Sequence, residues 1–218
     1  VTLVGGELAA LRSNDTIRIL SYSSIGQLGF AAVAYAAPGP EGLIAGTAVA
    51  LHHLLVKPAL FLLVAGWPRS LDALVATGRA HPLQGAVFVL LALSLIGVPP
   101  LPGFWAKYLL LKAVLATGDP LYFLAVVVVL TATVIEAAYL FRMAGRLFGG
   151  TELPARARAA GGDLVSASAL VAVVVVVTLA VVPAGGGLER AAATLGVGQV
   201  PAPPLAMGLP ATATGVAP

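Results

Sequence analysis

Four titratable side chains interrupt stretches that are otherwise apolar: His53, Lys57, Lys107 and Glu136. Lys57 stands between Leu54-Leu55-Val56 and Ala59-Leu60-Phe61-Leu62. A lysine at the centre of a bilayer costs about 2.5–3.5 kcal/mol on insertion scales, so it needs a partner or water beside it. This one lies too deep in its run to reach the headgroups by snorkelling. His53 precedes it by four residues and shares its helical face. An amine and an imidazole so placed can exchange a proton near neutral pH. The plainer alternative is a structural lysine held by carbonyls, and the proton-relay reading is preferred to it. Pro58 follows directly and frees a carbonyl one turn back, near Leu54, where it can bend the helix or admit water; a membrane helix also tolerates such a proline with no role at all.

Lys107 follows Pro99-Pro100-Leu101-Pro102-Gly103, where three prolines remove three backbone donors within four positions. A helix broken there exposes polar ends that can hold ions or water beside the lysine. The competing reading is an interfacial lysine at a helix start. Lys112, near the end of the same run, is placed to snorkel. Glu136 falls in the middle of a long apolar segment, and Lys107 is the first partner to test for it. The pair reads equally as a relay member or as a structural ion pair. Ser21, Tyr22, Ser23, Ser24 and Gln27 form a polar stretch. Ser23, Gln27 and Tyr22 are candidates for lining a water path, with Ser23 and Gln27 sharing a face. More often such residues only bond helix to helix, at about 0.6 kcal/mol each. That reading is preferred unless the face turns toward Lys57.

These side chains need elements that carry them through hydrocarbon. The 218 residues are 59% hydrophobic, with a mean hydropathy of +1.00 and 10% charged residues, against about a quarter charged in a soluble domain. Apolar runs near the length of a bilayer crossing recur, giving an all-α, polytopic transmembrane helix bundle of about six spans, one broken at residues 99–103. The runs cover about 17–37, 42–66, 83–98, 104–116, 121–148 and 164–182, with residues 1–11 as the tail of a further helix and 70–81 as a short surface helix. Residues 1–183 form the bundle, and 184–218, rich in Ala, Pro, Gly and Thr, read as a disordered tail. The opening Val1-Thr2-Leu3-Val4 has neither Met nor the basic-then-apolar order of a signal peptide, so the sequence reads as a fragment or one piece of a divided protein.

The net charge of +3 comes from dispersed basic residues with few aromatic neighbours, which excludes a nucleic-acid surface. Without cysteine there is no disulfide, iron–sulfur or thiolate metal site. The three histidines have no metal-site spacing, and no nucleophile–base pair stands out. No metal and no cofactor is expected in the chain, nor catalysis by it.

Three ordered motifs carry a resemblance. Gly6-Glu7-Leu8-Ala9-Ala10-Leu11-Arg12 followed by Arg18-Ile19-Leu20-Ser21-Tyr22-Ser23-Ser24-Ile25-Gly26-Gln27-Leu28-Gly29-Phe30 is similar to a "KRLLAYSSIxQxGY" segment. His53-Leu54-Leu55-Val56-Lys57-Pro58-Ala59-Leu60-Phe61-Leu62 is similar to "HxxxKAxLFL", and Gly97-Val98-Pro99-Pro100-Leu101-Pro102-Gly103-Phe104-Trp105-Ala106-Lys107 to "GxPPxxGFxxK". Tyr139-Leu140-Phe141-Arg142 is similar to a "YYxxR" ending. Together, over residues 2–183, they resemble the C-terminal part of the antiporter-like, proton-conducting subunits of respiratory complex I (NADH:quinone oxidoreductase) and their relatives in cation/proton antiporters and membrane-bound hydrogenases. The resemblance implies a central relay lysine at Lys57 with His53 as its neighbour, and in Lys107 the charged residue of the broken helix. Ile17 and Val49 depart from it, standing where many members have a lysine and some a histidine.

The expected function is therefore a proton-translocating subunit of a complex I-like oxidoreductase, with no redox chemistry of its own. Its expected partners are the lipid bilayer and other membrane subunits, including a chain carrying the family's preceding half. It is expected as an integral protein of the bacterial cytoplasmic membrane. The alternatives are a non-conducting scaffold or truncated remnant, and a subunit of a multisubunit Na⁺/H⁺ antiporter.

Overall fold

The computed structural model describes residues 1–150 and, beyond them, Ala172 alone. The described secondary structure is helical: α1 (Thr2–Arg12), α2 (Thr16–Ala36), α3 (Gly39–Ala65), a 3-10 turn (Leu71–Leu74), α4 (Thr77–Ala80), α5 (Pro82–Ile96), α6 (Pro102–Leu115) and α7 (Pro120–Phe148). Local chemistry sets the boundaries. Asp15 caps α2 by accepting the Arg18 backbone N–H at 3.0 Å, and Asp119 caps α7 through the Leu121 N–H at 2.7 Å. Proline stands in the first turn of α3, α5, α6 and α7, where an N–H would have no partner in the helix. α5 stops at Gly97, whose φ of +92° is readily adopted only without a side chain.

Two of these helices are long and apolar enough to cross a membrane: α3, with 27 residues and a mean hydropathy of 1.9, and α7, with 29 residues and 2.3. The segment Leu71–Ala80 with α5, bent by 116° at their junction, is a third candidate. The described residues do not reach the expected count of about six. α1 has 11 residues, α5 15 and α6 14, each short of the roughly 20 that a crossing takes. α2 has 21, but its serines and Gln27 dilute the apolar run. The break is therefore a true interruption of five residues, 97–101, between separate helices. The expected helix 164–182 and the tail 184–218 lie outside the described residues.

The stretch 70–81 departs from the expected surface helix. It divides into the 3-10 turn and the four-residue α4, and it buries Leu71, Leu74, Thr77 and Gly78 against the bundle. Its polar composition hid an apolar inner edge.

α1 lies on α2, α2 on α3 and α3 on α6, while α7 touches α1, α5 and α6. Small residues let α1 and α2 approach closely. A Cβ on Gly6 would lie 2.5 Å from the Gly26 nitrogen, and one on Gly29 would lie 2.6 Å from the Leu3 Cα. Close approach of this kind is how helices associate where lipid tails are as apolar as leucine. One core cluster centres on Leu20, Leu60, Phe88, Leu91 and Tyr139. A second centres on Phe30, Val49, Leu110 and Val129. The polar site lies where these two meet. On α7 the residues Leu121, Phe123, Val127, Leu130, Val134 and Phe141 face outward, presenting an apolar surface.

Candidate functional site

α2 and α3 bring the first part of the site together. Ser23 and Gln27, one turn apart on α2, are both buried and face the bundle interior. The Lys57 side chain enters from α3, 3% exposed. Its Nζ donates to Ser23 Oγ at 2.6 Å and to the Leu20 carbonyl at 3.3 Å. Pro58 faces outward, and α3 continues through it to Ala65. From α7, the Tyr139 hydroxyl donates to the same Ser23 Oγ at 2.6 Å. Ser23 thus receives two donors and keeps its own O–H to give.

α6 and α7 supply the second part. Lys107 Nζ lies 2.5 Å from Glu136 Oε2, with side-chain exposures of 12% and 0%. The ammonium also donates to the Ile96 carbonyl at 3.2 Å and sits 4.8 Å from the centre of the Phe30 ring. Ile96 ends α5, so its carbonyl is one of those the break leaves without a helical donor. A lysine just past the break is therefore placed to satisfy it. Glu136 Oε1 accepts from Gln27 Nε2 at 2.5 Å. Because Ser23 and Gln27 are one turn apart, α2 joins the Lys57 and Lys107 halves into one polar chain.

Lys57, Lys107, Glu136, Ser23 and Gln27 thus converge. His53 does so only in part: it is half-buried on the Lys57 side of α3, and its Nδ1 has no hydrogen-bond partner. Tyr22 does not converge. Adjacent to Ser23 on the helix, it is turned about 100° away and is 37% exposed, so it leaves the set of lining candidates. Lys112, in the last turn of α6, faces outward.

Three interior residues were missed. His52, rather than His53, is the buried histidine, with Nε2 3.0 Å from Ser94 Oγ on α5. Its ring packs at the break, where a Cβ on Gly103 would come 2.9 Å from Cε1. Spacing to Lys57 singles out His53, whereas finding the more buried of two adjacent histidines needs the helix phase. Glu7 is wholly buried, and among the described residues neither carboxyl oxygen has a hydrogen-bond partner. It faces Tyr139 and Glu136 on α7, Lys57 on α3 and Lys107 on α6. Its signal is the same as for Glu136, an acid in an apolar helix, but the short run 1–11 reads as a helix tail. Tyr139 was noticed only as part of a motif. The interior therefore holds, among the described residues, two lysines and two carboxyls. Among the described residues no three His, Asp or Glu side chains form a metal-binding group.

At the bundle edge, the Arg18 N–H holds the Asp15 carboxyl below its ordinary pKa of 3.8, and Arg69, 3.1 Å away, adds to this.

Residues 1–135 match the family described as "NADH:quinone oxidoreductase/Mrp antiporter, TM". The chain is similar to NADH-quinone oxidoreductase subunit N of Pelagibacter ubique, at 31% identity over 148 residues, covering 65% of this chain and 31% of that one. Among solved structures it is similar to a chain of the Mrp complex from Dietzia sp. DQ12-45-1b, with a TM-score of 0.66 and 31% identity over 72% of this chain and 30% of that one. A chain of an archaeal membrane-bound sulfane sulfur reductase gives a TM-score of 0.77 at 26% identity, covering 88% and 40%. The chain spans about a third of the length of the curated relative.

Proposed function

From the premise that the chain belongs to the NADH:quinone oxidoreductase/Mrp antiporter transmembrane family, we propose that it is a proton-translocating, antiporter-like membrane subunit. Protons move through a relay of Lys57, His53, Glu136 and Lys107, with Ser23 and Gln27 lining the path between them. The observation that carries this reading is the position of Lys57: its ammonium lies inside the bundle, 2.6 Å from Ser23, rather than stretched toward a membrane surface. An intramembrane lysine is costly, and one bonded to a hydroxyl shared with another proton-bearing group is placed to exchange its proton.

The Lys107–Glu136 pair supplies a second step. Lys107 Nζ lies 2.5 Å from Glu136 Oε2, near enough for a proton to pass between them. The chain is proposed to work beside other membrane subunits, one of them carrying the family's preceding half. The bacterial cytoplasmic membrane is the proposed location. Similarity to the Dietzia Mrp complex supports a second reading, in which the same relay serves a multisubunit Na⁺/H⁺ antiporter.

The test is Lys57→Met in the assembled complex, reconstituted in vesicles. Proton movement is expected to fall to background. Unchanged movement would leave a non-conducting scaffold as the better description. Exchanging sodium for potassium in the bath separates the two transport readings.

A further inference from the structure

Among the described residues, Glu7 is the one buried acid the relay above leaves unused. Its side chain is fully enclosed, and neither oxygen has a hydrogen-bond partner among the described residues. A buried carboxyl kept for structure alone would be expected to be bonded, since an unpartnered polar group costs about 1–3 kcal/mol. Space has nevertheless been left for it. Gly26 on α2 stands against the carboxyl, and a Cβ there would be 2.1 Å from Glu7 Oε1. The groups facing it are Tyr139, Glu136, Lys57 and Lys107.

We propose that Glu7 is a proton-holding site, filled from Lys57 through the hydroxyls of Ser23 and Tyr139. Three of the four members are already linked, Lys57 to Ser23 at 2.6 Å and Tyr139 to Ser23 at 2.6 Å. Ser23 and Tyr139 can each donate in either direction, so this chain has two polarities. In one, Tyr139 donates to Ser23, as seen. In the other, the Tyr139 hydroxyl turns to the Glu7 carboxylate and Ser23 donates to Tyr139. From this second arrangement an N–H bond of Lys57 breaks as an O–H forms on Ser23. The former Ser23 proton passes to Tyr139, and the former Tyr139 proton to Glu7. One proton has then moved from an amine on α3 to a carboxyl on α1. Lys57 is left as neutral amine, Glu7 as neutral acid, and both hydroxyls are restored with their polarity reversed. No electron moves and no co-reactant is needed. From Glu7 the field of the neighbouring Glu136–Lys107 pair is the next influence on the proton.

This inference rests on the translocation reading, so its test includes the Lys57 variant. In the assembled complex in vesicles, Glu7→Gln keeps the shape and removes the titration. Proton movement is expected to fall by roughly tenfold or more, the lower end of what a lost acid–base group costs being larger still. In the intact complex a protonated-carboxyl C=O band in infrared difference spectra is expected to vanish with it. Wild-type transport in Glu7→Gln, with Lys57→Met inactive, overturns the Glu7 site and leaves the wider reading standing. Normal transport in Lys57→Met overturns both. Should Glu7→Gln fail to assemble, Tyr139→Phe keeps the ring and cuts the same path. A comparable loss supports the site, and an undiminished rate refutes it.

Discussion

Removing the charge of Glu136 tests the ion pair directly. Glu136 is fully enclosed, and its oxygens are held at 2.5 Å by Lys107 and at 2.5 Å by Gln27. In Glu136→Gln the Lys107 ammonium loses its counter-charge but keeps the Ile96 carbonyl, the Phe30 ring and its 12% exposure. Breaking a buried pair costs about 3–5 kcal/mol, and those remaining contacts place this case at the lower end, near 3 kcal/mol, or roughly 150-fold in the folded-to-unfolded ratio. Lys107→Met leaves a wholly buried carboxylate with only an amide partner and is expected to cost about as much or more. The double variant removes both charges and retains the Gln27 contact, so it should be more stable than either single one. The coupling is therefore expected at about 3 kcal/mol, the upper end of what contacting residues show. SDS titration of the full chain in bicelles measures all three. Additive single effects, with coupling below about 0.5 kcal/mol, would refute the claim that the two residues act as a pair.

Gly103→Ala places a Cβ 1.7 Å from the Ser94 carbonyl oxygen and 2.9 Å from His52; since backbone cannot step aside, a loss of about 1–3 kcal/mol is expected in the same titration. Ser94→Ala removes the partner of His52 Nε2 and is expected to cost about 1–3 kcal/mol as an unsatisfied buried group. Gly6→Ala meets the Gly26 nitrogen at 2.5 Å, and should loosen α1 from α2, read as faster proteolysis of α1. Asp15→Ala removes the α2 cap for about 1 kcal/mol. Because its folded-state pKa is lowered, that contribution is present above the unfolded value near 3.8 and is lost as pH falls through the folded one; wild type and variant should converge in stability in acid and differ at neutral pH.

Much of the bundle could be read from the residues. The ends of α2, α3 and α7 fall within a few residues of their expected places because Asp15, Pro38-Gly39-Pro40 and Asp119-Pro120 are strong local signals. The break before Lys107 was legible for the same reason, as prolines and Gly97 act on their own neighbourhood. The Lys107–Glu136 contact spans 29 positions, and was suggested only because each buried charge demands an opposite. What spacing could not give was rotation. His52 and His53 differ by 100° of helix phase, and only the packing of α3 against α5 and α6 decides between them. Tyr22 and Ser23 present the same problem. Glu7 failed to register because the length of apolar sequence preceding it was too short to announce a membrane helix.

The gap at residues 97–101 also has a mechanical side. Lys107 rides on one rod while the carbonyl it grips, Ile96, ends another. Five residues of α6 separate the lysine from the hinge, a lever of about 7.5 Å. Tilting that rod by about 10° would carry the ammonium about 1.3 Å, enough to release a contact of 3.2 Å while every hydrogen bond within the two helices stays whole. The charge can thus be re-tuned by a push on the outside of α6, and a neighbour in the membrane has a handle on it without ever touching the polar interior.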